Sequence, residues 1–398
     1  MSMTTLDSPS PRVANASEKR VLYFKEPFLD LMFLHTLTLH GFKGSEIGEC
    51  YSAAAQVREG DVESYKGAWT SLADQVEKIA RDAEAKGHLV TARQAYLRAV
   101  AYYRNVSMAF RPSEPGFRST IEKYRSLFCK FAALSEPAIE VVEIPYEVKT
   151  LPGYFMRPDA TGQKRPTIIC GDNVSEELYY WIGPPAVERG YNALLVDLPG
   201  IGLNPLNGIC CRPDTEVPVR AVIDYLCSRS DVDTESIAVY GGGEPGGYIM
   251  TRAATGDKRI AACIVDPLVS DMGPIVPFVK SHTMHVSAGE KTVSSIYSEI
   301  LPFWGITDDP AQAENLRKMK ADTKLITCPM LCLNDAMDYP ELQRQVKEAA
   351  AAMLKPTLHV FTSTDRTSVY RELDNFGLKH RVMFDWLDDV FKMKKIKK

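Results

Sequence analysis

The sequence predicts an α/β protein in which a mixed, mostly parallel, doubly wound sheet follows a helical N-terminal stretch. Three observations carry that prediction. Apolar residues recur at three- and four-residue steps up to about Ser135. Beyond it, short β-branched runs alternate with helical patterns, the rhythm of parallel strands covered on both faces. One strand-to-helix junction in that second part is a run of glycines.

Composition narrows the function classes. The chain has 398 residues, 45% hydrophobic and 25% charged, a globular balance long enough for roughly two or three domains. A net charge of −4 and a pI near 6.0 point away from a nucleic-acid partner. No apolar run approaches the roughly 20 residues that span a bilayer. Residues 1–19 are rich in Ser, Thr and Pro without an apolar stretch, and read as a disordered leader, not a signal peptide. The nine cysteines include no C-x-x-C pair, so reduced thiols and a cytoplasmic location are expected. The Lys-rich end, Lys392 to Lys398, reads as a solvated terminus.

The helical domain is expected over 20–135. Its periodic positions include Phe28, Leu31, Phe33 and Leu34, then Trp69, Leu72, Val76 and Ile79, then Tyr96, Val100 and Tyr103. Pro112 and Pro115 punctuate the pattern before a last helix around Tyr124 to Ala133.

The second domain is expected over 136–398. Strands are read at Ile139–Tyr146, Gly153–Arg157, Thr167–Cys170, Ala193–Asp197, Ile237–Tyr240, Ala262–Val265, Met330–Leu333 and Leu358–Phe361. Helices are read near Glu176–Arg189, Val217–Ser228, Gly247–Ala254, Glu341–Met353 and Leu378–Val390. A helical insertion over about 271–325 is long enough to lean over the strand ends as a lid. Ligands of such sheets bind beyond the carboxyl ends of the strands, so the turns there hold the candidate chemistry.

The decisive segment runs from Ile237 through Tyr240, Gly241, Gly242, Gly243, Glu244, Pro245, Gly246 and Gly247 to Arg252. Strand, sharp glycine turn and helix in that order is the layout of a nucleophile elbow. Here the chain resembles the α/β-hydrolase superfamily. More narrowly it resembles the branch of the fermentation–respiration switch protein, 2,6-dihydroxypseudooxynicotine hydrolase and the fungal heptaketide-shortening hydrolases. The helical N-terminal region, Gly-Asp-Asn-Val-Ser-Glu-Glu-Leu at 171–178, Asp-Leu-Pro-Gly-Ile-Gly at 197–202 and Val-Met-Phe-Asp-Trp-Leu-Asp at 382–388 carry that likeness.

Set against the family, the catalytic parts are altered. Aligned on its C-terminal glycines, the turn puts Glu244 where the serine belongs; aligned on the strand end, it puts Gly243 there. Neither register supplies a serine, cysteine or aspartate. With Glu244 at the apex, Pro245 would also remove the oxyanion N–H that follows the nucleophile, a loss of about 10²–10³ in rate. The family's histidine falls in the loop after the last strand, which reads Thr362 to Leu373 and holds none; its place falls near Tyr370. His380 lies in the following helix, where a structural or exposed role is favoured. The acid is expected at Asp338, with Asp335 as its rival. Three altered parts of one mechanism make an acyl-enzyme route improbable.

What replaces it is read as acid/base chemistry by Glu244, with Tyr370, Asp338, Asp172 and Tyr179 completing a polar site. That suits a small hydrophobic carbonyl compound, polyketide-like by the resemblance, undergoing cyclisation, C–C cleavage, dehydration or isomerisation without a cofactor. Two alternatives stay open: a dead hydrolase kept as a small-molecule binding or scaffolding protein, and a hydrolase using Glu244 as a carboxylate nucleophile. Gly171 and Asp172 follow the strand that supplies the second oxyanion N–H, although Gly-Asp-Asn also suits a plain turn. Glu176 and Glu177 read as helix-dipole partners, and Tyr179, Tyr180 and Trp181 as helix packing. Asp197 reads as a hydrogen-bonded structural acid. His282 and His285 belong to the lid, with His282 placed near the substrate; no third ligand spacing supports a metal. His35 and His40 read first as helix packing, with the pocket as the alternative. The glycine turn lacks the residues of a nucleotide cradle. The resemblance alone implies a homodimer.

Overall fold

The computed structural model describes residues 22–278, 292–307, 309–336, 338–365 and 373–392. The N-terminal leader, His282, His285 and Tyr370 lie outside them.

Five helices come first: α1 (Pro27–Thr38), α2 (Ile47–Ala54), α3 (Val62–Ala85), α4 (Leu89–Ser107) and α5 (Pro115–Ala133). The Asp61 carboxylate caps α3 by accepting the Ser64 N–H at 3.0 Å. Along α3, Tyr65, Trp69, Leu72, Val76, Ala80 and Ala83 are buried at three- and four-residue spacing, which turns one stripe inward. Helix α4 is buried nearly all round, because it lies between α3 and α5.

Eight strands follow: β1 (Glu140–Tyr146), β2 (Lys149–Met156), β3 (Arg165–Cys170), β4 (Asn192–Val196), β5 (Val232–Gly242), β6 (Ile260–Asp266), β7 (Met330–Asp335) and β8 (Pro356–Phe361). They form one sheet in the order β1-β2-β4-β3-β5-β6-β7-β8. Pairings β1/β2 and β2/β4 are antiparallel and the rest are parallel. The helices of this part are α6 (Ser175–Trp181), α7 (Gly183–Glu188), α8 (Glu216–Cys227), α9 (Gly243–Gly256), α10 (Val276–Phe278), α11 (Val293–Tyr297), α12 (Pro310–Lys318), α13 (Pro340–Ala352) and α14 (Phe376–Phe391).

Two details depart from the sequence reading. The helix expected over Glu176–Arg189 is two, because Pro184 and Pro185 lack the N–H groups that would continue the first. The insertion over 271–325 consists, where described, of short helical pieces.

Strand alternation sends side chains to two cores. Ile169, Leu194, Val196, Val239 and Cys263 pack with α8, α9 and α13. Ile168, Ala193, Leu195, Ala238 and Ile264 pack on the other face with α14. That second core continues without a break into the aromatic core of α1–α5. The N-terminal helices are therefore joined to the sheet by apolar burial. Among the described residues, no helix is long and apolar enough to cross a membrane.

Candidate active site

Strand β5 runs into α9 through the glycine turn. Gly242 is the N-cap in extended backbone, and Gly243 has φ 66°. That left-handed conformation costs an L-residue about 1–2 kcal/mol, so glycine suits it. The apex is Gly243, the register aligned on the strand end, and it carries no side chain. The residue after the apex is Glu244, which has an N–H, so the oxyanion loss expected from Pro245 does not arise. Pro245 sits in the first turn of α9, where a helix has no intrahelical use for its N–H.

The neighbouring glycines answer to close approach. A Cβ on Gly241 would lie 2.2 Å from the Gly246 carbonyl oxygen, and one on Gly247 would lie 2.0 Å from that of Pro267. At Gly246 it would meet the Asp172 Cβ at 2.3 Å. Helix, strand and the β3 turn therefore interlock backbone to backbone.

Glu244 is 4% exposed, and its Oε1 accepts a hydrogen bond from the Tyr339 hydroxyl at 3.3 Å. Tyr339 comes from the turn after β7, beside the predicted acid. Asp338 itself accepts the Asp335 N–H at 2.9 Å and the Asn334 amide at 3.3 Å, so its carboxylate shapes its own turn. The acid loop reaches Glu244 through Tyr339, a residue the sequence reading missed.

Asp172 is brought to the elbow. Its Oδ2 accepts the Gly242 N–H at 2.8 Å, while Oδ1 has no hydrogen-bond partner among the described residues. Burial pushes its carboxyl up to about 7 against the hydrogen bond from Gly242. Gly171, just before it, leaves room for Leu198, whose side chain a Cβ would meet at 2.7 Å.

Beneath the turn lies a group absent from the sequence reading. Lys379 of α14 is buried and pairs with Asp266 at the end of β6, Nζ to Oδ2 2.5 Å. Its Nζ stands 5.8 Å from the ring centroid of Tyr240, which is fully buried in β5. A signal existed in the sequence. Phe376, Lys379, His380, Met383, Phe384 and Leu387 form the buried stripe of α14, and a lysine on such a stripe needs a counter-charge.

Other candidates are placed elsewhere. Tyr179 sets its ring edge-on to Phe128 and Phe131 of α5, with centroids 5.5 and 5.0 Å apart. His380 bonds the Trp181 carbonyl at 2.6 Å, stacks on Phe376 and is pulled down to about 4 by burial, a structural histidine. His40 is half exposed beside Glu46.

His35 joins a second buried cluster, between α1, α4, α5 and α6. The Trp181 indole N–H donates to its Nε2 at 3.1 Å. Burial lowers His35 to about 4, so it is neutral at neutral pH. Glu177, 3.3 Å from that nitrogen, pairs instead with Arg104 at 2.6 Å. Arg125 stands 3.6 Å from Glu176 and 3.5 Å from Asp197, and the Tyr154 hydroxyl donates to Glu176 at 2.6 Å. A small cavity opens there, lined by His35, Arg104, Asn105, Glu176, Glu177 and Tyr180 among others. Glu176 and Glu177 are thus ionic partners across the two halves, more than dipole companions of α6. Among the described residues, no group of three or more His, Cys, Asp or Glu could hold a metal ion.

No protein-family model matches the chain. The α/β hydrolase gkaG of Penicillium citrinum is 38% identical over 242 residues, 57% of this chain and 56% of that protein. The 20-hydroxy-prefusarin hydrolase FUS2 of Gibberella moniliformis is 32% identical over 255 residues, 61% and 60% of the two chains. The chain thus spans a little under two thirds, or less, of the length of these curated relatives. The crystal structure of 2,6-dihydroxy-pseudo-oxynicotine hydrolase superposes with a TM-score of 0.71 over 89% of this chain and 95% of that one, at 19% identity, a likeness of fold. Sheet order, elbow layout and this superposition agree on an α/β-hydrolase fold, and in sequence the chain is similar to the fungal α/β hydrolases.

Proposed function

We propose that this protein is an enzyme that has given up the acyl-enzyme route and moves protons on a small hydrophobic carbonyl compound. The observation that carries the reading is the elbow apex, a glycine at φ 66° flanked by the buried carboxyls of Glu244 and Asp172. A nucleophile is missing from the place where the fold presents one, and two acids stand beside it. Asp172, held near 7 by burial, is suited to take a proton from a carbon next to a carbonyl and to return it. Glu244, bonded to the Tyr339 hydroxyl, supplies the second carboxyl. Sitting one residue past the apex, Glu244 is better placed for proton transfer than for attack. The reaction class is enolisation followed by cyclisation, C–C cleavage, dehydration or isomerisation, and the polyketide-like substrate class rests on the resemblance. The fungal relatives are named hydrolases, one for 20-hydroxy-prefusarin, which supports an enzyme of natural-product chemistry.

The test begins with a fluorophosphonate probe on the wild-type protein. Stoichiometric serine labelling would overturn the proposal. With no labelling, a panel of aromatic β-diketones is assayed for turnover and deuterium exchange. Loss of exchange in Glu244→Gln and Asp172→Asn with binding intact is the expected result; saturable binding without turnover or exchange in the wild type would identify a binding protein instead.

A further inference from the structure

The pair beneath the elbow has no part in the acid/base step as described, yet it places a buried cation under the acid that step uses. Tyr240 Oη and Asp172 Oδ2 both approach one point, the position of a Cβ on Gly242, at 2.7 and 2.9 Å. Lys379 lies over the Tyr240 ring and is anchored by Asp266. Asp172, Tyr240, Asp266 and Lys379 thus form one buried group drawn from the β3 turn, β5, β6 and α14, with one ammonium among two carboxyls and a phenol. Burying a lysine amid apolar helix packing is costly unless its charge is used.

We propose that Lys379, held in place by Asp266, is the positioning residue for Asp172: its ammonium is the charge against which the Asp172 carboxyl ionises. This rests on the acid/base reading of the elbow. The groups facing Asp172 are Lys379 from α14, Asp266 from β6, Tyr240 from β5 and Cys170 from β3, with the Gly242 N–H on Oδ2. Lys379 favours the carboxylate and Asp266 opposes it, so the two members of the pair act with opposite sign. Touching no reacting atom, the pair tunes the acid that does.

The experiment reads Asp172 directly, so it needs no substrate. Carboxyl infrared difference spectra are recorded across pH on the full chain, with Asp172→Asn assigning the band. In Lys379→Met the Asp172 titration should move up by about one pH unit or more, a tenfold change in proton affinity. In Asp266→Asn it should move down, and Lys379→Arg should restore the wild-type value. General loosening would let water in and move both variants down together. An unmoved or lowered titration in folded Lys379→Met would overturn the proposal; if that variant does not fold, an unmoved or raised titration in Asp266→Asn would do so. Failure of β-diketone turnover with these shifts intact would sink the functional reading and leave the positioning role standing.

Discussion

Two of the buried ionic clusters among the described residues differ in how their charges are closed. Between the helices and the sheet, Arg104 and Arg125 face Glu176, Glu177 and Asp197. Burial works against the charge on Arg104, and Glu177 restores it. Guanidinium groups do not lose protons in proteins, so the two cations of this cluster are fixed and hold two parts of the chain in register, while burial pushes the Glu176 carboxyl up to about 7. Under the elbow a single lysine pairs with Asp266, and Asp172 keeps one oxygen without a hydrogen-bond partner among the described residues. Two guanidinium charges fasten the first cluster at the junction of helices and sheet; the second stands at the elbow, where a carboxyl near neutrality is in place to exchange a proton.

The largest effect expected from that contrast is on stability. Arg104→Met leaves Glu177 buried without its cation and should cost about 3–5 kcal/mol in urea unfolding. A cost below about 1 kcal/mol would break the contrast at its structural end.

Next comes pH. The folded Asp172 carboxyl lies near 7, above its ordinary 3.8. With the folded value raised, its contribution is fully present below about 4 and is lost as pH rises through 7. Relative to Asp172→Asn, the wild type should therefore lose stability between pH 5 and pH 8 (about those limits), on the order of 3 kcal/mol. Parallel stability curves for the two proteins would remove Asp172 from the proton-exchanging group.

A smaller change sharpens the geometry. Gly246→Ala brings a methyl onto the Asp172 Cβ and should cost about 1–3 kcal/mol, read as a lowered unfolding midpoint. The carboxyl band of Asp172 should shift in the same protein. Smallest is Tyr339→Phe, which removes the hydroxyl bonded to Glu244 and should cost about 1 kcal/mol by chemical denaturation. A larger loss would show that the acid loop supports the elbow more than one hydrogen bond allows.

Much of the architecture was legible in residue patterns, because strand and helix periodicities are local. The periodic stripe of α3, the alternating strands and the glycine run all appear in the structure where the pattern put them. Legibility fell where an outcome depends on a distant partner. Asp338 is expected as the acid from its place after β7; its Oδ2 accepts two hydrogen bonds within the turn, and it is the neighbouring Tyr339 whose hydroxyl meets Glu244. Tyr179 is adjacent to Glu176 and Glu177 in their helix pattern, yet α5 captures its ring. Tyr370 and His282 fall outside the described residues.

The elbow divides the two kinds of knowledge most sharply. Residue identities alone establish that no serine, cysteine or aspartate can stand at its apex, since each register offers only glycine or glutamate. Choosing between them required backbone geometry, because a left-handed φ depends on how β5, the β3 turn and α9 close on one another. The same holds for charge. A lysine on the stripe of α14 is visible in the chain, but its meaning depends on Asp266, which lies more than a hundred positions away and meets it only when helix and strand are packed. Local chemistry is written residue by residue, whereas the field a buried carboxyl feels is a sum over partners that folding alone assembles.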